Sequence, residues 1–155
     1  MRYDQRRFAP PAPARQPFTR PWKADSDQPG PRPKLLIVDD DLGVAEILRR
    51  VCQASGFIVS VAYDLQLGKR LLEPSHSIVI VDVCLGEDSG IDLIREAAAM
   101  PEPPGIIAIS GSGPAVLAEA SAAGADQVLE KPFSMRLLTA TLERLSSDAP
   151  AADVA

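Results

Sequence analysis

Five short aliphatic runs, each followed by a segment whose apolar residues recur at helical spacing, constrain this chain more than any other feature. The runs are Leu35–Val38, Phe57–Ala62, Ile78–Val81, Ile106–Ile109 and the shorter Val128-Leu129. Continuously apolar strands are covered on both faces, which predicts a parallel sheet with helices on each side. Right-handed crossovers put the helices there. The expected fold is therefore α/β, a doubly wound five-stranded parallel sheet in the order 2-1-3-4-5. In such sheets the working site lies beyond the carboxyl ends of the strands, near the switch in strand order. Chemistry is expected just after residues 38, 81, 109 and 129.

The intervening segments carry helix punctuation. Val44, Ile47, Leu48 and Val51 share one face of a helix that ends near Gly56, and Asp64 is placed to cap a helix carrying Leu65, Leu67, Leu71 and Leu72 before Pro74. A third helix is expected from about Ile91 to Ala99. Pro114 opens a fourth, closed by Gly124, and Ser134 caps a fifth through Leu145. Ile78–Val81 is the most continuously apolar run and is expected at the centre of the sheet.

Composition separates this folded part from what precedes it. Eight of the fifteen prolines lie in residues 1–33, with seven Lys/Arg against three acids, for +4. The remainder has nine Lys/Arg against eighteen acids, for −9, and the sum is the formal −5. A Pro/Arg-rich stretch without aliphatic runs buries too little surface to offset its ordering entropy. Residues 1–33 are expected to be a disordered tail, 34–147 one domain, and 148–155 a short C-terminal tail, with no output domain attached. No apolar run approaches the ~18 residues of a membrane span, and the N-terminus lacks a signal-peptide core. A cytoplasmic protein with no membrane contact is expected. A core at −9 disfavours direct nucleic-acid binding. Cys52 and Cys84 show no metal-ligand spacing, and burial is the expected role of Cys52.

The strand ends carry the chemistry. Asp39, Asp40 and Asp41 follow the first strand, where side-by-side like charges need a compensating cation. Asp41 reads best as the cap of the first helix, whereas Asp39 and Asp40 suit a carboxylate rim holding Mg²⁺. Asp82 ends the third strand and faces the same crevice, as a third ligand and a nucleophile. Ser110 ends the fourth strand. Its neighbours Gly111, Ser112 and Gly113 would leave backbone amides free for a phosphoryl oxygen. Lys131, before Pro132, is aimed inward if that peptide is cis.

Read together, Leu-Leu-Ile-Val-Asp-Asp-Asp at 35–41, Ile-Val-Ile-Val-Asp-Val at 78–83, Ile-Ala-Ile-Ser-Gly at 107–111 and Glu-Lys-Pro-Phe at 130–133 resemble the receiver domain of two-component response regulators. The likeness covers about 34–147 and implies a CheY-like, flavodoxin-like fold. It implies Asp82 as phosphoacceptor and Asp39 and Asp40 as the acidic pair organising Mg²⁺. It also implies a third metal contact from the backbone carbonyl of Cys84, Ser110 as switch hydroxyl and Lys131 as the phosphoryl-contacting lysine. The implied function is that of a stand-alone receiver, not an enzyme, which takes part in its own phosphorylation and dephosphorylation. Its partners would be a sensor histidine kinase or histidine phosphotransfer protein and a downstream protein target.

Three positions depart from that family's pattern. Val128 stands where an aromatic is common, so the face of the fourth helix, fifth strand and fifth helix would communicate by loop movement alone. Gly86 replaces a proline, predicting a pliable loop, and Ser110 replaces a threonine but keeps the hydroxyl. His76, the only histidine, reads as an exposed loop residue at the opposite end of the sheet. The tail's Arg6-Arg7-Phe8 and Phe18-Thr-Arg20-Pro-Trp22, with Arg32, could dock on a partner or on the acidic domain. Two other readings are compatible with the fold: a phosphorylation-independent pseudo-receiver binding module, and a metal-dependent phosphohydrolase, for which no second acid/base is identifiable.

Overall fold

The computed structural model describes residues 32–146. The tail pairs 6–8 and 18–22 lie outside them, but Arg32 Nε donates to the Gly56 carbonyl at 3.3 Å and the Pro33 carbonyl accepts from Ile58 N–H at 2.8 Å. The chain forms β1 (Lys34–Val38), α1 (Leu42–Ala54), β2 (Ile58–Ala62), α2 (Leu65–Leu71), β3 (His76–Asp82), β4 (Cys84–Leu85), β5 (Asp88–Ser89), α3 (Ile91–Ala98), β6 (Gly105–Ser110), α4 (Pro114–Ala123), β7 (Gln127–Glu130) and α5 (Met135–Ser146). The main sheet is parallel throughout and runs β2-β1-β3-β6-β7, the anticipated order.

The period of two in a strand sorts alternate residues onto opposite faces. Leu36, Val38, Val79, Val81, Ile106 and Ala108 pack with Leu93, Ile94 and Ala97 of α3, Leu65 of α2 and Ala120 of α4. Leu35, Ile37, Ile78, Ile80, Ile107 and Ile109 pack with Leu48 and Cys52 of α1 and Leu138 and Leu142 of α5. Both faces being buried explains why the strands read as unbroken aliphatic runs. Cys52 is fully buried, and desolvation pushes its thiol up to about 12, which makes it unreactive.

The caps follow the sequence closely. Asp41 accepts from Val44 N–H at 3.1 Å, Asp64 from Leu67 N–H at 2.7 Å and Ser134 from Leu137 N–H at 3.1 Å. Each satisfies a helix amide that otherwise lacks a partner, worth about 1 kcal/mol. Gly124 closes α4 at φ +123°, where a side chain would be strained.

Residues 84–89 form a small antiparallel hairpin of β4 and β5, with Gly86 turning at φ +64°. One expectation needs correction. His76 is not an exposed loop residue. It begins β3, pairs with Lys34 in the ladder and is 5% exposed. Its Nδ1 accepts from Glu73 N–H at 3.2 Å. Burial holds the imidazole below its ordinary 6.5, against the opposing pull of Glu73. The unfolded chain therefore takes up a proton as pH falls below about 6.5 while the folded one resists until its lower value is reached. Stability contributed by neutral His76 is thus complete above 6.5 and lost on acidification through that window. Urea midpoints between about pH 8 and about pH 5 are expected to fall less in His76→Asn, which keeps an acceptor but cannot titrate; equal slopes would show that His76 does not titrate with folding.

Candidate functional site

All five side chains singled out at the strand ends meet at the carboxyl edge of the sheet. Asp39 directly follows β1, Asp82 ends β3, Ser110 ends β6 and Lys131 directly follows β7. The backbone ladder fixes each of them: Asp39 N–H donates to the Ala62 carbonyl at 3.1 Å, Val83 N–H to Ile109 at 2.9 Å and Lys131 N–H to Ser110 at 2.9 Å. Four residues remote in sequence are thereby held on adjacent strands, before any side-chain contact is counted.

Carboxylate oxygens of Asp39, Asp40 and Asp82 lie within 4.8 Å of one another. Asp39 is fully buried, Asp82 nearly so, and Asp40 is exposed at the lip. Asp39 Oδ1 accepts from Asp41 N–H at 2.9 Å, Asp82 Oδ1 from Cys84 N–H at 2.9 Å, and Asp40 Oδ2 from Gly86 N–H at 3.0 Å. Lys131, across a cis peptide to Pro132, sets its ammonium 2.7 Å from Asp82 Oδ2 and 3.1 Å from Asp39 Oδ2.

Burial raises the Asp39 carboxyl above its ordinary 3.8, although the Asp41 amide and Lys131 both pull the other way. For Lys131 burial opposes the charge, but hydrogen bonds to Asp82 and Asp39 outweigh it and hold the ammonium above its usual value. One ammonium does not balance three carboxylates: with all ionised the cluster carries −3 + 1 = −2. A divalent cation brings that sum to zero, and three hard oxygen donors are the ligand type such a cation takes. The residues present therefore fit a divalent ion.

Ser110 is fully buried, and its Oγ accepts from Ser112 N–H at 3.1 Å. The Ser112 amide is thus not free, contrary to expectation. Cys84 is exposed beside this pair, its Sγ 3.1 Å from Ser112 Oγ and 4.0 Å from Ser110 Oγ. Three features were not visible in the sequence: the grip of Gly86 on Asp40, the Cys84–Ser112 contact, and Gly90, which packs directly under the Asp82 backbone. A glycine at the two-residue gap of a hairpin was the available signal for the first. Val128 is 37% exposed on β7, so no aromatic ring occupies that position.

Known structures and sequences share this arrangement of elements. A response regulator signal receiver domain from Bermanella marisrubri is 30% identical and superposes with a TM-score of 0.66, over 74% of this chain and 98% of that one. The chemotaxis response regulator CheY4 of Vibrio cholerae is 25% identical with a TM-score of 0.65, over 74% and 99%. The transcriptional regulatory protein CpxR of Klebsiella pneumoniae is 30% identical over 112 residues, 72% of this chain and 48% of CpxR. The chain spans about half the length of that curated relative. The fold is CheY-like within the flavodoxin-like α/β class. The family model for the response regulator receiver domain matches residues 35–143, from the first residues of β1 into α5 and across every strand end that carries a site residue. This chain belongs to the response regulator receiver domain family.

Proposed function

We propose that the chain is a phosphoacceptor receiver that takes a phosphoryl group on Asp82 and signals through the resulting change in protein contacts. The observation that carries the reading is the Lys131 ammonium 2.7 Å from Asp82 inside a crevice of three carboxylates. A half-buried cation beside a strand-end carboxylate fixes the nucleophile and meets the charge that arrives with phosphate.

In the step itself an Asp82 carboxylate oxygen attacks phosphorus, the bond from phosphorus to the donor imidazole nitrogen breaks, and that nitrogen keeps the electron pair. The donor is a phosphohistidine of a sensor histidine kinase or a histidine phosphotransfer protein. Asp39, Asp40, Asp82 and the Cys84 carbonyl would hold Mg²⁺, which would neutralise charge at the phosphoryl oxygens. Lys131 donates to one of those oxygens, and the Ser110 hydroxyl to another. Ser110 begins the β6–α4 loop, so its capture draws that loop inward and changes the surface read by a downstream protein. Val128 leaves this relay to the loop. The chain is a substrate of its kinase that assists its own modification, acting as a cytoplasmic receiver without direct contact to nucleic acid or membrane.

The reading is tested with acetyl phosphate and Mg²⁺. A hydroxylamine-sensitive phosphate adduct that maps to Asp82 and does not form when EDTA is present is expected. Its absence, with binding to a downstream partner intact, would instead favour a phosphorylation-independent pseudo-receiver.

A further inference from the structure

The loop Ser110-Gly111-Ser112-Gly113 joins the end of β6 to α4, and its two glycines give it wide conformational freedom. Gly113 sits at φ +98°, no side chain caps α4, and the first helical bond, from Leu117 N–H to the Gly113 carbonyl, is stretched to 3.5 Å. Such a loop needs other ties to hold one arrangement. Besides a weak 4.0 Å contact from Cys84 Sγ to Ser110 Oγ, the side-chain ties among the described residues run through Ser112. Its amide donates to Ser110 Oγ at 3.1 Å, and its hydroxyl lies 3.1 Å from Cys84 Sγ, with either group able to donate.

The second tie crosses from the phosphoacceptor side of the crevice. The amide of Cys84 holds Asp82 Oδ1, so one residue grips the phosphoacceptor through its backbone and the β6–α4 loop through its thiol. Resting on the reading of Asp82 as phosphoacceptor, we propose that the Cys84–Ser112 contact is a latch that positions Ser110 in the unphosphorylated protein. Drawing Ser110 toward a phosphoryl group on Asp82 moves Ser112 relative to Cys84, so the contact belongs to one state and biases the equilibrium toward it. Cys84 and Ser112 are positioning residues: they act on phosphorylation through Ser110.

A neutral hydrogen bond of this kind corresponds to a bias of about two- to fivefold. In the unphosphorylated chain, Cys84→Ala and Ser112→Ala are expected to speed amide hydrogen exchange at residues 111–113 by that factor. Uptake of phosphate from acetyl phosphate should rise by a similar factor. The double variant should match the faster single one, because both remove the same contact, and Cys84→Ser, which restores a donor and acceptor, should return toward the parent. Unchanged exchange, or effects that add in the double variant, would overturn the latch. The exchange measurement needs no phosphorylation. If it responds while the parent chain takes up no phosphate, the Asp82 reading fails and the latch stands; the reverse pattern sinks the latch alone.

Discussion

Asp82→Asn is expected to take up no phosphate under conditions in which the parent chain forms its adduct, and in EDTA to be no less stable than the parent. The amide is nearly isosteric. Its oxygen can still accept from Cys84 N–H or from Lys131, so the end of β3 keeps its place. What disappears is the anionic nucleophile and one of three like charges. Divalent-ion affinity should drop by on the order of tenfold or more, since a neutral amide replaces a carboxylate ligand.

The stability side of that result separates two views of the cluster. If the Lys131–Asp82 pair were chiefly a structural tie, breaking it would lower stability by several kcal/mol. The charge count argues otherwise, because Asp39 remains 3.1 Å from Lys131 and the excess negative charge falls. Burial, and to a smaller degree Asp82, keeps the Asp39 carboxyl raised above 3.8. For an acid with a raised folded value, the folded state favours the protonated form. Stability is then highest below 3.8 and is lost as pH rises through the folded value. Asp82→Asn should narrow that window and raise the EDTA stability near neutral pH by on the order of 1 kcal/mol. Urea unfolding across pH checks it. A loss of several kcal/mol, or phosphate appearing elsewhere on the variant, would mean that Asp82 serves the fold and not the chemistry.

The metal-free domain therefore holds its site under electrostatic tension that a cation relieves. Asp39 and Asp82 are buried where the backbone ladder puts them, and Lys131 compensates in part. A cation that binds only the folded chain stabilises it by mass action. Sensitivity of the fold to the ion follows from the −2 left uncompensated at the strand ends.

How much of this the residues disclosed depends on the range of the interaction. Strand ends were legible because unbroken aliphatic runs stop at a charged or hydroxyl residue, and parallel strands in one sheet bring such ends together whatever the loops do. Asp39, Asp82, Ser110 and Lys131 are of this kind, as are the caps Asp41, Asp64 and Ser134, which act within three residues. The burial of His76 is not legible in this way, because a histidine next to a turn looks exposed until β3 is known to begin there. The Asp40–Gly86 and Cys84–Ser112 contacts join loops 46 and 28 residues apart. No local pattern carries them, since they arise only when the ladder sets the distances between loops.

Gly90 is the sharpest case of information that only packing holds, and Gly90→Ala is expected to be the most disruptive small substitution near the site. Its φ of −64° and ψ of −12° suit alanine, so backbone preference alone predicts a stabilising change of about 0.4–1 kcal/mol. Space predicts the opposite. A Cβ there would lie 2.2 Å from the Asp82 carbonyl oxygen and 2.8 Å from Val81 Cγ1, where no side chain fits without movement of β3 or α3. Both are pinned: Gly90 N–H donates to the Val83 carbonyl at 2.7 Å, and its own carbonyl accepts from Ile94 N–H at 3.1 Å. A loss of about 2–3 kcal/mol is expected, with phosphate uptake reduced on the order of a hundredfold as Asp82 shifts by about 1 Å from Lys131. Gly86→Ala is the control. It sits at φ +64° with nothing within 4 Å of an added Cβ, so only backbone strain of about 1 kcal/mol applies. If Gly90→Ala proves as mild as Gly86→Ala in unfolding and in phosphate uptake, the wedge under Asp82 is not what holds that carboxylate in place.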